Sequence, residues 1–438
     1  MSEVQTPNPH LLTLPRSETD RDEVFVIVLV GDTGLNASRQ RVRPNAAVRH
    51  GKRYGWPWTT KHVAPLIDGH LNFANIETVV TARNSLSPRN KLYNFRMHPN
   101  GLRHLVDTGF NLLSLANNHS ADYGRRGILD TLKHADRLRS AGLRAHAGLG
   151  RDRAGAVAAK AFRIDGGRFA FAAMGIGAGA PGVARAGARK PGQVSIHDKR
   201  VFFDVVDGLA QSQADFRILS MHYGQEREVY PAEHQVRRWR DEVLVGRDID
   251  LIVGHHTHVA QGVQMTNGKL IFYGLGNFLH LGTQDMSKFN ACRDYGLLAR
   301  VFVVRDATGA MTAQAVQVVP LTDMHLQPRP MTGKRARRRI DVLNFLVSKL
   351  DDEIAGSRGV RFAKQVDGSG LFCRPGAENM PGRAGTLCEG FVAPDELAPS
   401  TRSRLSRLCR SRRVAVGVKK RRFRKRARRK VRRKLSSF

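Results

Sequence analysis

Five short apolar segments that each end in polar side chains constrain the fold of this chain more than any other feature. The segments are VFVIVLV, HLNFANIE, FNLLSLANNH, FRILSMHYG and DIDLIVGHHTH. Between them lie amphipathic patterns of helical period, notably at 127–142 and 231–246. Strand, loop and helix repeat in this order, so the sequence predicts an α/β architecture over residues 24 to about 320.

More strands are expected after these segments. Candidates are RFAFAAMG, KLIFYGLGNF, LLARVFVV and MTAQAVQVVP. Asn267-Gly268 is typical of a hairpin turn. Beyond residue 330 the periodicity weakens, and only 341–354 has the pattern of a helix.

The strand ends bring together side chains that bind metals. Ligands collect beyond the carboxyl ends of strands in open α/β sheets. The residues at these ends are Asp32, Asn75, Glu77, Asn117, Asn118, His119, His222, Glu226, His255, His256 and His258. Oxygen and imidazole without thiolate suit Mn, Fe or Zn, and a carboxylate can bridge a pair of ions.

Taken singly, most of these residues have a simpler explanation. Asp32, Glu77 and the ANNH stretch are compatible with turn capping, and a lone His222 with a satisfied core histidine. Glu226 is compatible with a solvated loop. The GHHTH stretch at 254–258 is not explained by packing, and the combination of five such strand ends is what indicates a metal site.

The charge of the chain is concentrated at its end. The formal net charge is +34, and residues 401–438 hold nineteen Lys or Arg and no Asp or Glu. Such a segment is expected to be disordered or a solvated helix, and to bind anionic polymers, an anionic membrane surface or nucleic acid nonspecifically. The alternative is a solvated appendage without a partner.

Cysteine usage and the N-terminal composition bear on compartment. Cys292, Cys373, Cys388 and Cys409 show no CxxC spacing, so neither a disulfide framework nor a zinc-thiolate site is predicted. No signal peptide or transmembrane segment is recognisable, which predicts a cytoplasmic protein, peripheral at the inner membrane if the basic segment tethers it.

Several motifs together resemble one family. GDTGLN, NFANIET, SLANNHSADYG, MHYGQE, GHHTHVAQGVQ and IFYGLGNF occur in this order. With these motifs the sequence resembles the CapA or poly-gamma-glutamate synthesis family of capsule-biosynthesis proteins. This family lies within the calcineurin-like metallophosphatase superfamily. The resemblance implies a four-layer α/β/β/α sandwich with a metal centre along one edge.

The resemblance also implies roles for individual residues. Asp32 would bind a first metal, and Glu77 would bridge to a second. The remaining implied ligands are Asn118, His222, His256 and His258. His119 would stay off the metals and stabilise or protonate the leaving oxygen, with water activated by the metal as nucleophile.

Two departures from the superfamily pattern bear on activity. Gly34 stands where the superfamily has the histidine of Asp-x-His, and Glu77 replaces an aspartate. The first metal therefore lacks an imidazole, and one or two ions are expected. Other positions near the metals or the substrate are Asn75, Asn117, Glu226, His255 and Asn277.

The predicted organisation has four parts. They are a flexible N-terminus (1–23), a CapA-like metallophosphatase domain (24–325), an extension (326–400) and a basic tail (401–438). The predicted function is a metal-dependent, phosphoesterase-type hydrolase in cell-surface polymer metabolism. The alternatives are a non-catalytic, metal-containing polymer-binding or assembly factor and, third, a phosphodiesterase associated with nucleic acid.

Overall fold

The computed structural model describes residues 24–176, 185–306, 308–351 and 357–410. The predictions for residues 1–23 and for most of the basic tail, 411–438, lie outside them. Within the described part of the chain, no helix is both long and apolar enough to span a bilayer.

The strands are numbered in chain order. They are β1 (Val24–Gly34), β2 (Ala46–Arg49), β3 (Lys52–Gly55), β4 (Leu71–Ile76), β5 (Val79–Val80), β6 (Arg96–Met97), β7 (Leu112–Ser114), β8 (Ala145–Ala147), β9 (Leu149–Gly150), β10 (Lys160–Ile164), β11 (Gly167–Gly175), β12 (Gly192–Gln193), β13 (Phe216–His222), β14 (Leu251–His255), β15 (Val263–Thr266), β16 (Lys269–Phe272), β17 (Asn277–His280), β18 (Gly296–Arg305), β19 (Met311–Thr322), β20 (Arg329–Pro330), β21 (Ser357–Gly359), β22 (Ala363–Lys364) and β23 (Gly370–Cys373).

The α-helices are numbered in the same way. They are α1 (Trp56–Thr60), α2 (Pro99–Asp107), α3 (Gly124–Arg137), α4 (Arg153–Val157), α5 (Lys199–Ala210), α6 (Glu233–Arg237), α7 (Gly333–Val347), α8 (Gly382–Cys388) and α9 (Pro399–Leu408). A π-helix, Arg238–Val245, continues α6.

Two large sheets form the centre of the molecule. The first has the order β22-β23-β19-β18-β1-β4-β7-β8, with β17 also pairing β1 and β20 pairing β19; the second has the order β10-β11-β13-β14-β16-β15-β21. Strands β1, β4, β7 and β8 are mutually parallel, as are β11, β13, β14 and β16. The carboxyl ends of each parallel set therefore lie at one edge of its sheet.

The sheets pack face to face through aromatic side chains. Phe25 meets Phe169 edge to face at 5.3 Å, and Phe73 meets Phe171 at 6.0 Å between ring centroids. Helix α5 and the π-helix cover the second sheet with Phe202, Leu209 and Trp239. All of β1 is buried, as expected for a strand covered on both faces. The predicted four-layer α/β/β/α sandwich is confirmed.

The helix expected at 341–354 lies earlier in the chain. It begins at Gly333, within the basic run, and ends at Val347. Ala336, Ile340 and Leu343 form its buried face, and the intervening arginines hid that period in the sequence. One of these, Arg339, is itself buried and donates to Asp294 over 2.7 Å.

The expectation for cysteine was wrong. Disulfides join Cys292 to Cys409 and Cys373 to Cys388, and no free cysteine occurs among the described residues. The separations along the chain are 117 and 15 residues. Pairings of this kind are set by tertiary contacts, here α9 against the loop before β18 and α8 against β23, and local spacing does not reveal them.

The segment after residue 325 contributes to both sheets. Strand β21 pairs with β15 in the second sheet, and β23 pairs with β19 in the first. Buried residues of α7 belong to the main core.

Candidate metal centre

The carboxyl ends of the parallel strands from both sheets meet at one place. Asp32 lies near the end of β1, Glu77 directly follows β4, and His222 ends β13. All three are wholly buried. The GHHTH stretch extends from the end of β14 into a loop beside them.

Three overlapping groups of side chains have the spacing of a metal site. In each group the ligand atoms lie within 4.8 Å of one another. The groups are Asp32, His222 and His255; Glu77, His222 and His256; and Asp32, Glu77 and His258. Because Glu77 belongs to two groups, its two oxygens face different sets of imidazoles.

Asp32 is held by hydrogen bonds from both sheets. Its Oδ1 accepts from Asn75 Nδ2 over 2.8 Å, and its Oδ2 accepts from the backbone N–H of His256 over 3.2 Å. His258 Nδ1 lies 3.1 Å from Oδ2. The carboxylate therefore fixes the GHHTH loop against β1.

Glu77 is the clearest indication of a cation. Its Oε1 lies 3.6 Å from His222 Nε2, and its Oε2 lies 3.3 Å from His280 Nε2. Neither oxygen has a well-aligned hydrogen bond from a described residue, although both are buried. A buried carboxylate without such partners is costly unless a cation neutralises it, so the residues present fit a divalent metal.

The histidine loop has an unusual backbone. His256 has φ of 92° and His258 has φ of 59°, a region that residues with a Cβ rarely adopt. Strain of this kind concentrates at functional sites, where the surrounding structure enforces it. Here it brings His256 Nδ1 to 3.0 Å from His222 Nε2.

Burial and neighbouring charges lower the pKa of some imidazoles in the cluster and raise that of another. Burial, with His256 adding to it, lowers the pKa of His222 well below its ordinary value, and burial lowers the pKa of His255 to about 4. Burial also acts to lower the pKa of His258, but Glu77 and Asp32 outweigh it and raise that pKa to about 10.

The same charges act on the carboxylate. Burial acts to raise the pKa of Glu77, but His258 and the other facing histidines hold it well below its usual range. The ionised carboxylate and the neutral His222 are the protonation states that a metal requires.

His119 faces the cluster as one half of a histidine–aspartate pair. Its Nδ1 lies 2.7 Å from Asp122 Oδ2, and its Nε2 lies 3.9 Å from Glu77 Oε1. Asp122 also accepts from the N–H of Phe95 and forms an ion pair with Lys91 at 2.6 Å. The Asp122 carboxylate orients the ring so that Nε2 faces Glu77 Oε1.

The other predicted positions divide into three kinds. Asn75 and Asn277 contact ligands, because Asn277 Oδ1 lies 2.8 Å from His258 Nδ1. Asn118 Oδ1 lies 2.7 Å from His222 Nε2, and His255 bridges His222 and Ser220. Asn117 instead holds the backbone, donating to Ile76 O, and Glu226 lies exposed on its loop.

Three residues of the site were missed in the sequence. Asp122 lies three residues after His119, within the stretch SLANNHSADYG, and that spacing was its only signal. Lys91 comes from a loop without a motif. His280 follows IFYGLGNF, and only the pairing of β17 with β1 brings it to Glu77.

Known proteins resemble this chain over the same region. The family described as "Bacterial capsule synthesis protein PGA_cap" matches residues 26–281. The capsule biosynthesis protein CapA of Bacillus anthracis is 27% identical over 66% of this chain and 67% of its own length. The PGA biosynthesis protein CapA of Bacillus subtilis is 27% identical over 60% of this chain and 66% of its own length.

A mycobacterial protein shows the same relationship. The probable polyglutamine synthesis accessory protein of Mycobacterium tuberculosis is 28% identical over 51% of this chain and 59% of its own length. The matched regions thus span about two thirds or less of these relatives.

Proposed function

The chain belongs to the bacterial capsule synthesis family, and from this membership we propose that it acts on an anionic cell-surface polymer or its precursors as a metal-dependent hydrolase of the phosphoesterase type. The Bacillus relatives are named for capsule and PGA biosynthesis, which supports a polymer of this class as the target.

One observation carries the catalytic part of the proposal. His119 is aimed at the ligand cluster and is oriented by a buried aspartate. A site that only binds a polymer has no use for such an oriented proton carrier, whereas bond cleavage requires a group that protonates the leaving oxygen.

The residues then take the following roles. A divalent ion, Mn, Fe or Zn, would be held by Asp32, Glu77, Asn118, His222, His256 and His258. Bound there, it would supply Lewis-acid activation of water and of the scissile bond. His119, protonated on both nitrogens, donates its Nε2 proton to the leaving group and keeps its Nδ1 proton in the hydrogen bond to Asp122. Asn75 fixes the oxygens of Asp32.

A substrate could be accommodated next to the loop that follows His222. A cavity of about 480 Å³ adjoins the loop after His222 and is lined by His197, Tyr223, Tyr230, His234 and Gln261, among others. Its walls mix aromatic rings with hydrogen-bonding groups and the carboxylates of Glu228 and Glu233, which suits a polar ligand better than an apolar one.

Turnover of bis-p-nitrophenyl phosphate with added Mn tests the proposal. We expect His119→Ala to retain its metal and to lose about 10²- to 10⁴-fold in kcat. His146→Ala is the matched control, because His146 lies on β8 and pairs with Asp136 of helix α3, and neither residue belongs to the ligand cluster. Metal binding without cleavage of phosphodiester or polymer substrates in the wild type would contradict catalysis and leave a binding role.

A second candidate function, capture of the anionic polymer, is favoured by where the basic segment begins. Arg293 donates to the backbone oxygens of Arg410 (2.7 Å) and Arg227 (2.9 Å). The N–H of Arg227 in turn donates to Thr257 O, between His256 and His258. Arg410, which precedes fifteen Lys or Arg in 411–438, is therefore linked through Arg293 and Arg227 to the histidine loop.

Ending the chain at residue 410 tests this capture. We expect it to abolish salt-sensitive binding of poly-γ-glutamate, because released counterions drive such binding. Unchanged polymer binding would contradict capture, and loss of only DNA or anionic-vesicle binding would assign the segment to those partners instead.

The disulfides bear on location. Structural disulfides persist in oxidising compartments and are rare in the cytosol. The two bridges therefore argue against the cytoplasmic location expected from the sequence, and we propose that the domain works outside the cytoplasm.

A further inference from the structure

The position left without a histidine at Gly34 has a histidine beside it from another strand. Strand β17 runs parallel to β1, and His280 is the register partner of Gly34. His280 is wholly buried and packs against the Phe95 ring at 5.0 Å between centroids.

The imidazole of His280 occupies the space that a side chain at residue 34 would enter. A Cβ added to Gly34 would lie 3.3 Å from both Cε1 and Nε2 of His280. A histidine at 34 and the present position of His280 are therefore mutually exclusive without a shift of one of them.

The hydrogen bond on the other side of the ring decides what His280 can do. The N–H of Gly282 donates to His280 Nδ1 over 3.1 Å. A nitrogen that accepts a hydrogen bond carries no proton, so the proton of the neutral ring lies on Nε2. Gly282 belongs to none of the groups of ligand atoms, so this assignment does not depend on a metal.

A protonated Nε2 cannot be a metal ligand, because imidazole ligates through an unprotonated nitrogen. In this structure neither His280 Nε2 nor Glu77 Oε2 has an aligned hydrogen-bond partner among the described residues, but the two atoms lie 3.3 Å apart, so a small rotation of the ring lets Nε2 donate to Oε2. The opposite oxygen, Oε1, faces His222 instead.

We propose that His280 holds Oε2 of Glu77 as a hydrogen-bond donor where the superfamily pattern has a metal-binding histidine, so that this centre binds one divalent ion tightly. Glu77 Oε1, Asn118, His222 and His256 would hold that ion. His280 is thus a positioning residue for Glu77. The inference rests on the proposed metal centre and specifies its stoichiometry.

Titration of the full chain with Mn, followed by electron paramagnetic resonance, tests the stoichiometry. The expected result is one tight Mn per chain with the spectrum of an isolated ion. Two tight ions with an exchange-coupled spectrum would overturn the inference while leaving the metal centre intact. Absence of binding would overturn the centre and the inference together.

Substitutions at position 280 distinguish a donor from a ligand. His280→Phe keeps the ring volume but loses the N–H, and we expect about a 10- to 100-fold loss in Mn affinity at unchanged stoichiometry. His280→Gln restores a donor and is expected to regain most of the affinity. Unchanged affinity in His280→Phe would overturn the role.

Moving the histidine back to strand β1 provides a gain-of-function test. In Gly34→His with His280→Ala, the new imidazole enters the space that His280 leaves, and a second tight Mn with an exchange-coupled spectrum is expected. A folded double variant that still binds one ion would contradict the inference.

Discussion

At the scale of single residues, Asp122 determines which nitrogen of His119 faces the ligand cluster. The carboxylate is buried and also accepts from the Phe95 N–H, so it cannot turn away without leaving a buried donor unpaired. An amide at this position would remove the negative charge that stabilises the doubly protonated ring.

We therefore predict that Asp122→Asn lowers kcat by at least about 100-fold while metal content is unchanged, because a neutral amide does not stabilise the doubly protonated ring that donates from Nε2. Steady-state kinetics beside metal analysis would measure both. Asp136→Asn, which alters the separate pair of Asp136 with His146, is expected to leave kcat within about twofold. Equal losses in the two variants would refute the specific role.

Site residues at the ends of apolar strands could be predicted from the sequence, whereas site residues in turns or on a strand paired at long range could not. Asp32, Glu77 and His222 follow apolar runs, so the position of ligands in α/β sheets indicates them. Asp122 lies in a turn, where aspartate usually caps. His280 needs the pairing of β17 with β1, which is a long-range property of the fold.

At the scale of elements, the contact between β1 and the turn before β17 sets the geometry of the site. A Cβ on Gly31 would lie 1.9 Å from Gly276 O, and the N–H of Asp32 donates to that same oxygen over 3.0 Å. Only glycine at 31 allows the two segments to approach this closely, and the approach places Asn277 beside His258.

Gly31→Ala is accordingly predicted to destabilise the fold by about 2 kcal/mol or more, as expected for overpacking against backbone. Gly208→Ala is the control, because nothing lies within 4 Å of an added Cβ on that exposed residue of α5. It should stabilise by about 0.5–1 kcal/mol. Denaturant unfolding compares the two, and equal midpoints would contradict the close approach.

Helices and turns with a clear sequence pattern were predicted well, whereas helices whose apolar period is interrupted by charged residues were not. Helix α3 and the Asn267-Gly268 hairpin occur close to where the sequence placed them, with Asn267 and Gly268 both at positive φ. Helix α7 was placed too late because arginines interrupt its apolar period. The amphipathic stretch 231–246 divides into α6 and a π-helix.

At the scale of the whole molecule, the C-terminal part of the chain is fastened to the loop region near the metal centre. The Cys292–Cys409 bridge joins α9 to the loop before β18, and Asn290 donates to Leu408 O over 3.0 Å beside it. The bridge closes a long loop, and closure of this kind stabilises by constraining the unfolded chain.

Replacing both Cys292 and Cys409 with serine is predicted to cost about 2–4 kcal/mol of unfolding free energy. Chemical denaturation gives the loss, and thiol labelling of the native wild type should find none of the four cysteines reactive. Full labelling of native protein would contradict both the bridges and the oxidising compartment. The disulfide pairing could not be predicted from the sequence, because it depends on how elements distant along the chain pack together.

A divalent metal bound by the buried cluster is the first requirement of the proposed chemistry. Elemental analysis of the purified chain, before and after incubation with Mn, Fe or Zn, should be made beside His222→Ala and the control His146→Ala. We predict that the wild type and the control hold a divalent ion and that His222→Ala loses it. A wild-type chain that takes up none of the three metals, or an ion retained in His222→Ala, would contradict the account.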